Sequence, residues 1–308
     1  MGVAQIIASS IEEPMLAFMS NGVTKVAAAV SGPFNAAMTL YVIIFGLMIV
    51  LGYVRMPISD YVMNAFKLAF LSLLISNVGE YNTYVTDLFF KSLPEGIGAA
   101  LGGKSDVSNI QSGIAFDIYI DKVIKVGETI REGADWSDVG TQFFAIIFQG
   151  IGVAAAVLMF AVVVYSKLML ALIIAIGPIF VALALFEQTR SFTQSWVGAL
   201  VNFVMLQVLI YALLALTLTI GESMIDPKGE FPVVFHKAMQ AIGLFILSAY
   251  VALELPGVSS ALAGSGFAIG GRVMNAAVGG AARGVAGLPK AHALYNKMRG
   301  EGGEVRKD

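Results

Sequence analysis

Apolar residues run in long blocks along this chain, separated by short polar links and one long one. A bilayer crossing needs about 20 mostly apolar residues. Six segments meet or approach that length: Pro33–Val54, Tyr61–Val78, Gln142–Tyr165, Leu168–Phe186, Ser195–Ile220 and Ala238–Leu255. The charges inside them are Lys67 and Glu254, both near a segment end, where a lysine side chain extends to the headgroups. Ahead of the first block, Ile6, Ile7, Ile11, Met15, Phe18 and Met19 recur at helical spacing around Glu12 and Glu13. That pattern predicts an amphipathic helix that lies on the membrane or packs on a neighbour. The expected architecture is therefore all-α and polytopic. It comprises an amphipathic helix over 1–32, a transmembrane pair over 33–78, a periplasmic loop domain over 79–141, a helix cluster over 142–255 and a cytoplasmic tail over 256–308.

The long polar stretch Gly79–Thr141 carries five basic residues (Lys91, Lys104, Lys122, Lys125, Arg131) against ten acidic ones. Within it Ile110, Ile114 and Ile118 share one helical face, followed by Asp121, Lys122 and Lys125, as in an amphipathic helix that contacts a partner. After Leu255 the chain turns to Gly, Ala and Ser, and two readings stay open. One is a close-packing helix with contacts at Gly266/Gly270 and Gly280/Gly284; the other is a flexible tether. The end, Arg272–Asp308, holds seven basic residues against three acidic ones. That charge suits anionic lipid, a partner or nucleic acid.

Composition agrees with a lipid solvent. Of 308 residues, 57% are hydrophobic and 13% charged, against roughly 25% charged in soluble domains, and the mean hydropathy is +0.81. Cysteine is absent and the histidines are His236 and His292, so thiolate chemistry and a histidine-rich metal site are excluded. The N-terminus lacks a basic region before its apolar run, so targeting is expected to use the first span rather than a cleaved signal.

Basic residues beside spans favour the cytoplasm. The basic tail and Arg55 place the C-terminus inside and the N-terminus and 79–141 outside, and Lys167 then falls inside. An outside N-terminus with an inside C-terminus requires an odd number of crossings. Leu168–Phe186 is the segment expected not to cross, because Gly177-Pro178 lies at its centre and proline breaks or kinks a helix. This gives five crossings plus a re-entrant hairpin, and the rival is six crossings with both ends inside.

Enzymatic readings find little support. Gly264-Ser265-Gly266-Phe267-Ala268-Ile269-Gly270 has the wrong spacing for a dinucleotide loop and follows no strand, and no P-loop lysine motif occurs. No catalytic, cofactor or metal residue is assigned. A secondary transporter or small-solute channel remains the alternative, although charged midplane residues and repeated halves are missing from the sequence.

The most specific stretch runs Ile176-Gly177-Pro178-Ile179-Phe180-Val181-Ala182-Leu183-Ala184-Leu185-Phe186, then Glu187-Gln188-Thr189-Arg190-Ser191-Phe192, Trp196 and Val201-Asn202-Phe203. This block resembles the centre of the TrbL/Vir-type polytopic inner-membrane subunits of bacterial type IV secretion systems. The order of spans, long loop and basic tail extends the likeness over most of the chain. The resemblance implies a non-enzymatic, channel-forming or structural component without cofactor, supporting DNA or protein translocation and pilus assembly. It implies an inner-membrane scaffold, a pilus-tip or minor pilin and a secretion ATPase complex as partners, with homo-oligomerisation and transient contact with DNA or protein substrate. Gly177, Pro178, Thr189, Arg190, Trp196 and Asn202 are the residues the resemblance singles out. Gly177 and Pro178 interrupt the helix, Thr189 and Arg190 make a polar turn, Trp196 suits the interfacial belt, and Asn202 suits an interhelical hydrogen bond.

Overall fold

A computed structural model of the chain describes residues 2–53, 58–94, 96–97, 113–132, 139–224 and 231–263. The helices below lie in one unit, Met1–Phe267. Arg55, Ile110, the glycine pairs after Gly264 and the basic tail lie outside the described residues.

The chain opens with α1, Val3–Val50, a helix of 48 residues. At 1.5 Å per residue it is about 72 Å long, so the boundary expected between 32 and 33 is not an end of the helix. Pro14 and Pro33 lie within it, each withholding one amide hydrogen, a loss that membrane helices absorb. Met15, Met19, Val23 and Ala27 are buried at intervals of one helical turn. One side of the amphipathic segment thus packs on a neighbour, while Ile6, Ile7 and Phe18 are exposed. Beyond Phe34 no residue of α1 is buried, and Leu40, Val42, Ile43, Ile44 and Leu47 are exposed, as lipid contact requires.

Helix α2, Ile58–Ser76, is followed by α3, Val78–Tyr81, which continues as a π-helical stretch over Asn82–Ser92. The two arms Val62–Ser76 and Val78–Ser92 bend by 100°. Asn77 makes the corner: its backbone is extended, and its side-chain oxygen accepts from the Gly79 amide at 3.1 Å, a helix N-cap.

Helix α4, Ile114–Glu132, lies in the expected polar region but does not stand apart from the apolar helices. It packs along α5, Val139–Ala175. Phe116 meets Phe160 at 5.3 Å, and the Gln149 amide donates to the Ile124 carbonyl at 3.0 Å. A Cβ on Gly152 would come within 2.5 Å of Val123, so the glycine is what lets these helices approach. The buried face of α4 is Phe116, Tyr119, Val123, Val126 and Ile130. Ile114 and Ile118, expected on that face, are half-buried at its margin. On the exposed side Lys125 pairs with Asp121 at 2.7 Å. The hydrogen bond and charge of Asp121 hold the ammonium above its ordinary pKa.

The beginnings of α1 and α4 are tied together. Asp117 accepts from the Ala4 and Gln5 amides at 2.9 and 3.0 Å, a carboxylate at the positive end of a helix. Gly113, at φ 78°, lies against the Ala4 backbone, where a Cβ would come within 2.6 Å of the carbonyl oxygen.

Helix α5 has 37 residues and corrects the separation of Gln142–Tyr165 from Leu168–Phe186. No link exists at Ser166-Lys167, because the helix runs through both to Ala175. The break comes at Ile176 and is followed by α6, Gly177–Leu183, a 3₁₀ turn Glu187–Thr189, and α7, Arg190–Met224. Helix α8, Phe231–Leu262, continues through Pro256, past the expected end of the span at Leu255. Helices α5, α7 and α8 pack on one another. Phe245 lies 5.5 Å from Phe148 and 5.7 Å from Tyr119, Tyr165 lies 6.1 Å from Phe203, and the Thr217 and Ser248 hydroxyls are 2.8 Å apart.

Among the described residues α1, α5, α8 and the Glu187–Gly221 stretch are long and apolar enough to cross a membrane. A fifth crossing results if the bent pair at Asn77 counts as one broken span. The fold is all-α and polytopic, and the bent pair at 62–92 is a broken span or a re-entrant loop.

Candidate functional site

The break between α5 and α6 is the most elaborately held point among the described residues. In an α-helix the amide of residue i+4 satisfies the carbonyl of residue i. Pro178 has no amide hydrogen, so the Ile174 carbonyl loses its helical partner. The Tyr81 hydroxyl takes that place, donating to Ile174 O at 2.9 Å. One residue earlier, the Trp196 indole N–H donates to the Ile173 carbonyl at 3.0 Å. The two carbonyls at the break are therefore capped by side chains from α3 and α7. In hydrocarbon an unsatisfied backbone group costs several kcal/mol, so both caps stabilise the interruption.

Gly177 makes the geometry feasible. A Cβ there would run into the Tyr81 hydroxyl and come within 2.7 Å of Trp196 Cζ2. Tyr81 is completely buried and Trp196 nearly so. The Trp196 ring also stacks on Phe180 at 6.1 Å with 5° between planes. The Thr193 hydroxyl donates to the Phe180 carbonyl at 2.6 Å, so the first turns of α7 are fastened to α6. Thr189 closes the intervening turn, its hydroxyl donating to the Leu183 carbonyl at 2.5 Å.

Of the residues singled out from the sequence, Gly177, Pro178 and Trp196 thus meet in one cluster, and Thr189 braces the turn beside it. Arg190 is exposed at the start of α7. Asn202 lies apart from the cluster, buried in α7, and its side-chain oxygen has no hydrogen-bond partner among the described residues.

Sequence reasoning missed Tyr81, which it placed in the polar loop. It also missed Glu12 and Lys167, whose carboxylate and ammonium pair at 3.8 Å between α1 and α5. Lys167 is 7% exposed. It is an interior residue and gives no guide to sidedness. On α7, Gln207 and Tyr211 are buried, and among the described residues their side-chain polar atoms have no hydrogen-bond partners. A glutamine inside an otherwise apolar run was the visible signal for Gln207. Burying an unpaired polar group costs about 1–3 kcal/mol. Gln207→Met should therefore raise the thermal midpoint of the detergent-solubilised protein, by about 1 kcal/mol in stability. A lower midpoint would show that the carboxamide is paired in solution.

These features define a class: a multi-pass helical membrane protein built around a side-chain-capped helix break, with a few buried polar groups. More specifically, the chain belongs to the TrbL/VirB6 plasmid conjugal transfer protein family, whose model matches residues 38–255. It is similar to the type IV secretion system protein VirB6 of Bartonella henselae, at 26% identity over 270 residues, covering 84% of this chain and 79% of the relative. The protein of the same name in Bartonella quintana is 27% identical over the same shares. Protein VirB6 of Agrobacterium fabrum is 22% identical, covering 77% of this chain and 81% of its own.

Proposed function

We propose that this chain is a structural and channel-forming subunit in the inner-membrane complex of a type IV secretion system, supporting conjugative DNA or protein translocation and pilus assembly. The observation that carries the reading is the family match, which spans the apolar helices and includes the capped break. Relatives named as type IV secretion proteins, matched over most of both chains, support it. The protein acts without a catalytic centre of its own, and energy comes from a separate secretion ATPase complex.

In this reading the N-terminus and 79–141 face the periplasm and the C-terminus faces the cytoplasm. The two hydrogen bonds that the first amides of α1 donate to Asp117 support a shared side for the N-terminus and the 79–141 segment, and the basic tail supports an inside C-terminus. An inner-membrane scaffold, a minor pilin at the pilus tip and the ATPase complex are the proposed partners. Homo-oligomerisation follows from size: a handful of mostly apolar spans cannot by themselves enclose a hydrophilic path wide enough for DNA or protein. The exposed apolar stretch of α1 provides surface for lipid or for further copies. Any DNA or protein contact is transient, and the acidic 79–141 segment disfavours direct phosphate binding there.

The test is an in-frame deletion in the native host, complemented from a plasmid and scored for conjugative transfer or effector secretion. Loss of transfer with normal growth and solute uptake, restored by the intact gene, is the expected result. Unchanged transfer in a host with an active apparatus and no second copy would remove the reading and leave a solute transporter.

A further inference from the structure

Lys67 and Arg190 are far apart in sequence but share one groove. It has a volume of about 290 Å³ and is lined by Lys67, Ala184, Arg190, Thr193, Gln194 and Val197. One cation comes from the middle of α2, and the other is the first residue of α7. Among the described residues no carboxylate lines the groove. Among the described residues neither cation forms an ion pair, although three other lysines do. Two cations facing one groove repel each other unless an anion lies between them. The start of α7 adds the positive end of a 35-residue helix dipole.

Exposed apolar side chains lie close in sequence to the two cations. Met63, Phe66 and Phe70 on α2 are exposed, as are Phe186, Phe192 and Val197. An anion that fits both features carries its charge at one end and hydrocarbon at the other. We propose that this groove binds the phosphodiester headgroup of an anionic glycerophospholipid. Arg190 engages the phosphate with its planar fork, Lys67 supplies the second charge, and the Gln194 amide donates at the rim. The acyl chains run over the exposed aromatic residues of α2 and α7. A zwitterionic headgroup fits less well, because its own ammonium would meet two cations. The bound lipid would neutralise the repulsion and fasten α2 to α7, next to the capped break. This inference concerns lipid contact and stands independently of the transfer reading.

The experiment uses the purified full chain in a neutral detergent. Thermal stabilisation and retained lipid, read by native mass spectrometry, are measured with phosphatidylglycerol, with phosphatidylcholine and with inorganic phosphate. Wild type should retain phosphatidylglycerol about tenfold better than phosphatidylcholine, a preference worth about 1.4 kcal/mol. Lys67→Gln with Arg190→Gln should abolish that preference. A control with the same net charge, Lys25→Gln with Lys125→Gln, should keep it, since both residues lie outside the groove. Arg190→Lys, which preserves charge and is conservative for folding, should retain part of the preference. Equal retention of the two lipids by wild type would overturn the proposal, as would an unchanged preference in the double glutamine variant. Inorganic phosphate that stabilises the chain as well as phosphatidylglycerol and displaces it would assign the site to a free anion and overturn the lipid.

Discussion

Gly177→Val should leave the protein largely unable to fold in the membrane, and Gly177→Ala should cost about 3 kcal/mol or more. The first Cβ at this position already collides with the Tyr81 hydroxyl and crowds the Trp196 ring at 2.7 Å. Neither neighbour can move freely. Tyr81 is fully buried and bonded to the Ile174 carbonyl, and Trp196 is bonded to Ile173 and stacked on Phe180. If Tyr81 retreats, the carbonyl that Pro178 leaves without an amide partner is orphaned in a dry environment. Overpacking costs about 1–3 kcal/mol and the orphaned carbonyl a similar amount. Fluorescence-detected size exclusion and thermal melts of the detergent-solubilised protein would measure the effect. Tyr81→Phe separates the two contributions: alone it loses the hydrogen bond, whereas combined with Gly177→Ala it removes the colliding oxygen. The double variant should be less unstable than the sum of the single changes. Wild-type melting of Gly177→Ala would refute the close-packing account.

The parts of this site that were legible in the sequence are those whose chemistry is local. Gly177-Pro178 must disturb a helix wherever it occurs, and Thr189-Arg190 after an apolar run must make a polar turn. Tyr81 was illegible because its role depends on a carbonyl more than ninety positions away, and its neighbours in sequence are polar. The apolar blocks gave the all-α membrane fold, because lipid leaves helices as the simplest way to satisfy every backbone group. They did not give the lengths. Ser166-Lys167 looks like a link between two spans when read along the chain, yet α5 passes through it. Hydropathy scores each residue against solvent and cannot register a carboxylate supplied by another helix. The same blindness made 79–141 look like a separate domain. The charges on one face of α4 dominate its composition, while Phe116, Tyr119, Val123 and Ile130 on the other face are buried against the bundle.

Glu12 and Lys167 supply the second large effect. Their side chains are 28% and 9% exposed, and they meet at 3.8 Å between α1 and α5. A cavity of about 20 Å³ beside them, bordered by Phe116 and Phe160, has room for one water-sized molecule. Removing one member of a buried pair strands the other charge and costs about 3–5 kcal/mol, whereas replacing both with apolar groups of similar size is often neutral. Lys167→Met should therefore lower the melting transition sharply. Glu12→Gln should do so less, because Glu12 is the more exposed partner. Lys167→Met with Glu12→Gln should recover much of the loss. The same thermal melts decide the matter: a single Lys167→Met variant that melts with wild type would mean the ammonium is solvated rather than paired. A double variant as unstable as Lys167→Met alone would mean that Lys167 depends on other contacts. Recovered stability together with lost transfer in the host would separate the two roles. The charges would then be dispensable for holding α1 against α5 and required for the work the assembled helices perform.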